Sequence, residues 1–313
     1  MARHEHEHDD DVKTDLDKVR KAGAIAAKAR DHGATLIQEG KLLLEVAEEV
    51  EELIRKEGAK PGFPCNISIG TDAAHYTPSV NDTKRFAKGD LVKLDVGAHI
   101  DGHLGDTAVT IEVGTSLHEE MILASREAVN TAVGLVKDGL PLVDIGRSIE
   151  TTIRGHGYKP ISNLTGHSIE VYSLHAGVSV PNIPRGHGSL KEDMVIAIEP
   201  FATDGAGHIK EGDNGNIWHF IQAKPQRNPH ARKALEHLAA EHSELPFAER
   251  WLQGVIEPKW IPAAIRFLAQ SGAISSYAVL REAGPGYVTQ AEHTLIVHKD
   301  KGEVTTGGAL WKA

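Results

Sequence analysis

Four acidic residues stand where apolar ones are expected. Leu91-Val92-Lys93-Leu94-Asp95-Val96-Gly97 is an apolar strand pattern with a carboxylate inside it, and Gly105-Asp106-Thr107-Ala108-Val109-Thr110 carries a second. Met194-Val195-Ile196-Ala197-Ile198-Glu199-Pro200 ends in a third, and Ala291-Glu292-His293-Thr294-Leu295-Ile296-Val297 holds a fourth. A charge buried without a partner is expensive, and a metal ion would remove that cost. For Asp95 and Asp106 alone, an exposed hairpin face with solvated carboxylates explains the pattern equally well; Glu199 and Glu292, each in a further apolar run, tip the balance toward a metal. Gly166-His167-Ser168-Ile169 adds an imidazole, and among 19 histidines it gains weight only from this company. Four carboxylates and one imidazole form an oxygen-rich set. It suits Co, Mn, Fe or Zn as two divalent ions rather than a Cys-based structural zinc. Two ions sharing carboxylates could activate a water and polarise a carbonyl.

The flanking residues must position that set. Asp90 to Ala98 and Asp106 to Val113 read as strands joined at Asp101-Gly102, a two-residue hairpin turn. Ile100 then faces His103, Asp95 faces Ala108, and Asp106 is the diagonal neighbour of Asp95 on the same face, about 7–8 Å away. A bulge at Gly105 would change this register. Upstream, apolar spacing gives helices over about 14–32 and from Leu42 to a stop at Gly58, followed by a strand at Asn66–Ile69. Helices over 117–137 and 142–155, then strand-like segments at 160–180 and 193–200, repeat that order and suggest a pseudo-two-fold arrangement around a shared sheet. Residues 221–283 interrupt it with helix-like segments near 228–242, 247–253 and 261–271, which read as a small inserted helical subdomain. Strand character resumes from Tyr287 to His298.

Composition narrows the class. The chain has 313 residues, 40% of them hydrophobic, enough for one sizeable core or a core plus a small module. Its net charge of -10 argues for solubility and against general affinity for nucleic acid or an anionic membrane. No apolar run reaches the roughly 18–20 residues of a membrane span. A single cysteine, Cys65, allows no intrachain disulfide, fits a reducing cytosol and reads as a structural thiol. Residues 1–13 carry alternating His and Glu without an apolar stretch, so they read as a disordered acidic tail and not a signal peptide.

The ordered set Asp95, Asp106, His167, Glu199 and Glu292 resembles the ligand set of the pita-bread metallopeptidases, which include methionine aminopeptidase, aminopeptidase P and prolidase. Asp-Gly-His-Leu-Gly-Asp-Thr-Ala, Gly-His-Ser-Ile, Ala-Ile-Glu-Pro-Phe and Glu-His-Thr carry the likeness, which covers about residues 14–305. Three features are similar to the type II methionine branch in its archaeal form. These are Ala73-Ala74-His75-Tyr76-Thr77-Pro78, His175 within Ser-Leu-His-Ala-Gly, and the 93 positions between Glu199 and Glu292 that hold the helical segment. The resemblance implies an α+β pita-bread (creatinase/aminopeptidase) fold, with a catalytic domain from 14–220 and 284–313 and the insert at 221–283. It implies that Asp106 and Glu292 bridge two ions, Asp95 completing one site and His167 and Glu199 the other. Glu199 would take the proton of the attacking water, while His75 and His175 would hold the peptide and stabilise the tetrahedral intermediate. Phe63, Leu174 and Tyr277, with His219 as a looser match, would line the methionine pocket.

The implied reaction is removal of the initiator methionine from nascent proteins with a small second residue. The cytoplasmic enzyme would act as a monomer, with peptide N-termini as partners and the ribosome as a further one. Ala291 and His103 stand where the family commonly has aromatic residues, and 208–220 matches poorly, which bears on fine specificity. Two rivals share the fold. An X-Pro aminopeptidase or prolidase would be expected to carry a large N-terminal domain and no insert; a non-catalytic binding module would be expected to lose ligands.

Overall fold

A computed structural model describes residues 14–311 of the chain, so the His/Glu-rich tail lies outside the described residues. Helices α1 (Leu16–Leu36) and α2 (Leu43–Lys56) come first. Asp15 caps α1 by accepting from the backbone N–H groups of Asp17 and Lys18, which satisfies donors the helix start leaves free. The two helices cover a four-stranded antiparallel sheet built around the hairpin of Leu91–Ile100 and His103–Glu112. Val46, Val50 and Ile54 of α2 pack there with Ile67, Val92 and Leu94. Helices α3 (Glu119–Val133) and α4 (Leu142–Gly155) repeat the arrangement, packing Ala128, Ile145 and Ile149 against Ile196, Ile198 and Leu295 of a second sheet.

The turn is as expected: Asp101 has φ +48° and Gly102 φ +80°, as a primed two-residue hairpin requires. Ile100 pairs with His103 and Asp95 with Ala108; Gly105 pairs with Ala98 without a bulge. Helix α1 lies so close to this hairpin that a Cβ on Gly105 would come within 2.4 Å of the Gly23 Cα. Two glycines make that contact possible.

The strands that carry the other two acids are broken in register with one another. Val195–Ile198 and Phe201–Thr203 are separated at Glu199-Pro200. The expected single strand from Tyr287 to His298 is likewise two, Val288–Gln290 and His293–Val297, interrupted at Ala291-Glu292. His293 pairs with Ile198 and Gln290 with Phe201, so the breaks face each other. At the gap the Glu292 N–H donates to the Ala108 carbonyl of the hairpin instead. Both glutamates therefore sit where one sheet hands over to the next.

Other expectations change in detail. The 160–180 stretch is two strands, Thr165–Ile169 and Ser179–Pro181, with a loop between them. Residues 247–253 are not an α-helix: Phe247–Ala248 pairs with Ile217–Trp218 and a 3-10 turn follows. The pairing wins because it buries Phe247 completely. Ile209–Phe220 is one long strand paired with Ile274–Glu282, so the end of the 221–283 segment is sheet rather than helix. Its helices α5 (Pro229–Glu241) and α6 (Ile261–Ser271) share a small core with Trp218, Phe247 and Leu252. Among the described residues no helix is long and apolar enough to cross a membrane.

Candidate metal centre

The hairpin register places Asp95 and Asp106 on one face, with Gly97 opposite Asp106. Their carboxyls lie close enough to perturb each other's titration. His167 closes the group from the Thr165–Ile169 strand: its Nε2 lies 3.7 Å from Asp106 Oδ2 and 3.7 Å from Glu199 Oε1. Ligand atoms of Asp106, His167 and Glu292 all fall within 4.8 Å of one another. Asp106, His167 and Glu292 are buried, while Asp95 and Glu199 keep some surface open to the cavity.

Burial pushes the Asp95 carboxyl up to about 7. Burial, then repulsion from the neighbouring acids, holds Asp106, Glu199 and Glu292 well above the usual carboxylate range. Four such groups cannot all ionise together without a cation. Asp95 Oδ1, Asp106 Oδ1 and Glu292 Oε2 also have no hydrogen-bond partner among the described residues. Burial lowers the His167 pKa to about 3, so its ring is neutral near pH 7, as a ligand imidazole must be. Acidic oxygens without partners, converging on a neutral imidazole, fit a divalent cation.

A cavity of about 60 Å³ opens onto these groups, room for about four waters. Phe63, Ala74, Leu174, Ile217, Pro246 and Tyr277 give it an apolar side. Gly97 makes room for Phe63, since a Cβ there would lie 2.2 Å from the ring. His75 and His175 also line it, His175 with its ring 4.4 Å from that of His167 and exposed at the rim. His75 sits 5.4 Å from the Tyr277 ring, and burial lowers its pKa to about 4, so it too is neutral. Its backbone is held at φ +66°, an uncommon conformation for a non-glycine residue. Gly215 permits it, because a Cβ there would lie 1.7 Å from the His75 carbonyl oxygen. His219 is not among the lining residues; it packs behind Tyr277 at 5.2 Å, and Ile217, two positions earlier on the strand, lines the cavity instead.

Several contributors carry no sequence signal of their own. Asn66 pairs with Asp95 across the strands and lines the cavity. Gln290 Nε2 lies 3.4 Å from Asp95 Oδ2 and 3.5 Å from Glu199 Oε2. The Thr294 hydroxyl accepts from the Asp106 N–H and donates to its carbonyl, both at 2.8 Å. Buried Arg30 donates to the Thr107 hydroxyl, which donates to the Glu292 carbonyl. All of them depend on pairings and contacts between segments far apart in the chain.

A family model described as "Metallopeptidase family M24" matches residues 17–225. The methionine aminopeptidase of Pyrococcus abyssi is 46% identical over 294 residues, covering 93% of this chain and 99% of its own. Among solved structures, the methionine aminopeptidase of Thermotoga maritima superposes with a TM-score of 0.69 at 23% identity, covering 94% of this chain and 98% of that one. The prolidase of Pyrococcus furiosus gives 0.61 at 21% identity, covering 95% of this chain and 65% of that one. At those identities the structural likeness shows the fold, and the fold is the expected pita-bread arrangement.

Proposed function

The chain belongs to metallopeptidase family M24, and from that premise we propose that it is a methionine aminopeptidase that hydrolyses the first peptide bond of chains beginning with methionine. The observation that carries this reading is the buried cluster of four carboxylates and one imidazole at the base of an apolar cavity. Asp95, Asp106, His167, Glu199 and Glu292 would hold two divalent ions. When bound, such ions supply a nucleophilic water at neutral pH and Lewis acidity at the carbonyl.

The remaining work falls to the protein's own groups. The substrate's free α-amino group would be held, as a neutral amine, at the metal-bearing base of the cavity, which restricts cleavage to the N-terminal bond. Glu199 receives the proton of the attacking water on a carboxylate oxygen and passes it toward the leaving amine. His75 and His175, neutral at working pH in the case of His75, donate from ring nitrogens to the carbonyl oxygen as charge builds there. Phe63, Leu174, Ile217 and Tyr277 enclose the methionine side chain and exclude water. The helical part of 221–283 is proposed as a subdomain that closes this side, through Pro246. A monomer acting on nascent chains in the cytoplasm, with the ribosome close by, completes the reading.

The test is cleavage of Met-Ala-Ser, Met-Lys-Ser and Ala-Pro-Ser by chelator-stripped protein with Co or Mn restored. Metal-dependent release of methionine from the first peptide alone supports the reading. Cleavage of the proline peptide instead moves it to an X-Pro peptidase, and no cleavage with little bound metal leaves a binding module.

A further inference from the structure

A second cavity, of about 760 Å³, lies beside the candidate centre, within the size range of ligand sites. Three chain segments separate the two, and each contributes to both. Pro61, Tyr172 and Leu245 line the second cavity; Phe63, Leu174 and Pro246 line the first. Leu174 packs against the cluster that includes Leu245. One side of the second cavity comes from α2 and the first sheet, the other from α5 and the segment after it.

Tyr172 lines the second cavity at the third position of a tight turn, closed by backbone hydrogen bonds between Glu170 and Ser173, where glycine is the usual occupant. It holds φ +58°, in the left-handed region that costs a bulky residue steric strain. The residue is 40% exposed, so it is only partly buried. The ring rests on the Gly102 turn, where a Cβ would lie 2.3 Å from it, and meets His99 edge-on at 5.8 Å. The Tyr172 N–H donates to the Gly102 carbonyl at 2.9 Å. Strain of this kind persists where surrounding structure imposes it, and it clusters at binding sites.

The remaining lining is of mixed sign. Arg55 and Lys60 face Glu241 and Glu244 in the same cavity, Lys60 and Glu241 at 3.2 Å. Balanced charge does not select an anion or a cation. It suits a ligand that offers alternating donors and acceptors and no net charge, which an extended peptide backbone does.

Resting on the aminopeptidase reading, we propose that this cavity binds the polypeptide downstream of the cleaved bond, with Tyr172 as the aromatic platform over which the chain leaves the catalytic cavity. The enzyme would therefore favour long chains over tripeptides. The feature used is one the catalytic centre does not need: a wide, charge-balanced space walled by the same three chain segments.

The experiment compares Met-Ala-Ser with a nine-residue uncharged peptide of the same start, using metal-loaded wild type and Tyr172→Gly. Glycine relieves the positive φ, so the variant should melt no lower than wild type. In wild type the longer peptide should show a KM about tenfold lower. In Tyr172→Gly that advantage should vanish while tripeptide kinetics stay within about twofold. Equal KM for the two peptides in wild type would overturn the proposal, as would an equal loss on both in the variant. Failure to cleave either peptide would instead remove the aminopeptidase reading. Fluorescence anisotropy of the labelled nine-residue peptide would then decide the cavity: binding lost in Tyr172→Gly supports it, and absent or unaltered binding overturns it.

Discussion

A carboxylate on the apolar face of a strand is legible in one dimension because so few arrangements tolerate it. Asp95, Asp106, Glu199 and Glu292 stood out for that reason, and the hairpin register followed from Asp101-Gly102. Asn66, Gln290 and Thr294 did not stand out, since single polar residues in strands are commonplace; only the distances of Gln290 to Asp95 and Glu199 give it meaning. The same electrostatics yield a test with opposite signs. Asp106→Asn keeps the shape and removes one of the crowded charges. Activity with added metal should fall by about a hundredfold or more, and bound metal should drop. The metal-free variant should nevertheless melt higher than metal-free wild type, because mutual repulsion among the acids is relieved. A fully active variant would contradict the assignment of Asp106.

At the scale of elements, a buried ion pair ties the 221–283 segment to α2. Arg250 pairs with Glu51 of α2. Glu51 also accepts from the Trp251 indole at 2.7 Å and from the Cys65 N–H at 3.0 Å. Arg250 donates to the Thr77 hydroxyl at 2.8 Å and the Pro78 carbonyl at 3.0 Å, just beyond His75. Arg250→Met should destabilise by about 3 kcal/mol, since it leaves buried Glu51 with only the Arg55 guanidinium, at 3.8 Å, as counter-charge. Adding Glu51→Leu should recover part of that loss; chemical denaturation of both variants measures it. None of this was visible in the sequence, where Glu51 looks like one more acid in a helix. The strand Ile209–Phe220 was equally hidden. Its Lys-Glu-Gly-Asp-Asn-Gly-Asn run lacks the alternation that marks a half-buried strand, and its pairing is irregular between Glu211 and Trp218. At 247–253 the expected helix-like segment is present only as the 3-10 turn Glu249–Leu252, and the strand pairing of Phe247–Ala248 before it is hidden because short apolar runs do not distinguish the two states.

Over the whole molecule, the repeated order of two helices followed by strands was readable from periodicity. The opposed breaks at Glu199 and Glu292 were not, because they depend on pairing between strands far apart in the chain. The first helix is also joined to the last strand. Arg20 grips Glu303 with two hydrogen bonds, of 2.7 and 2.9 Å, and His298 adds a third at 2.7 Å. Arg20 holds the Glu303 carboxyl down at about 2. A carboxylate with a lowered folded-state pKa stabilises above its unfolded value and loses that contribution as pH falls toward the folded one. Glu303→Gln should therefore be less stable than wild type by about 1 kcal/mol at neutral pH, and the gap should narrow as pH falls from about 5 toward 3. Thermal melts across that range check it; a gap that widens would be the wrong sign.

The acidic cluster is proposed as a metal centre that cleaves after an N-terminal methionine. Titrating chelated protein with Mn or Co while following methionine release from Met-Ala-Ser tests both parts at once. Activity should be absent at the start, rise with added metal and saturate, with Asp106→Asn inactive throughout. Release that proceeds equally well in excess chelator would contradict the account.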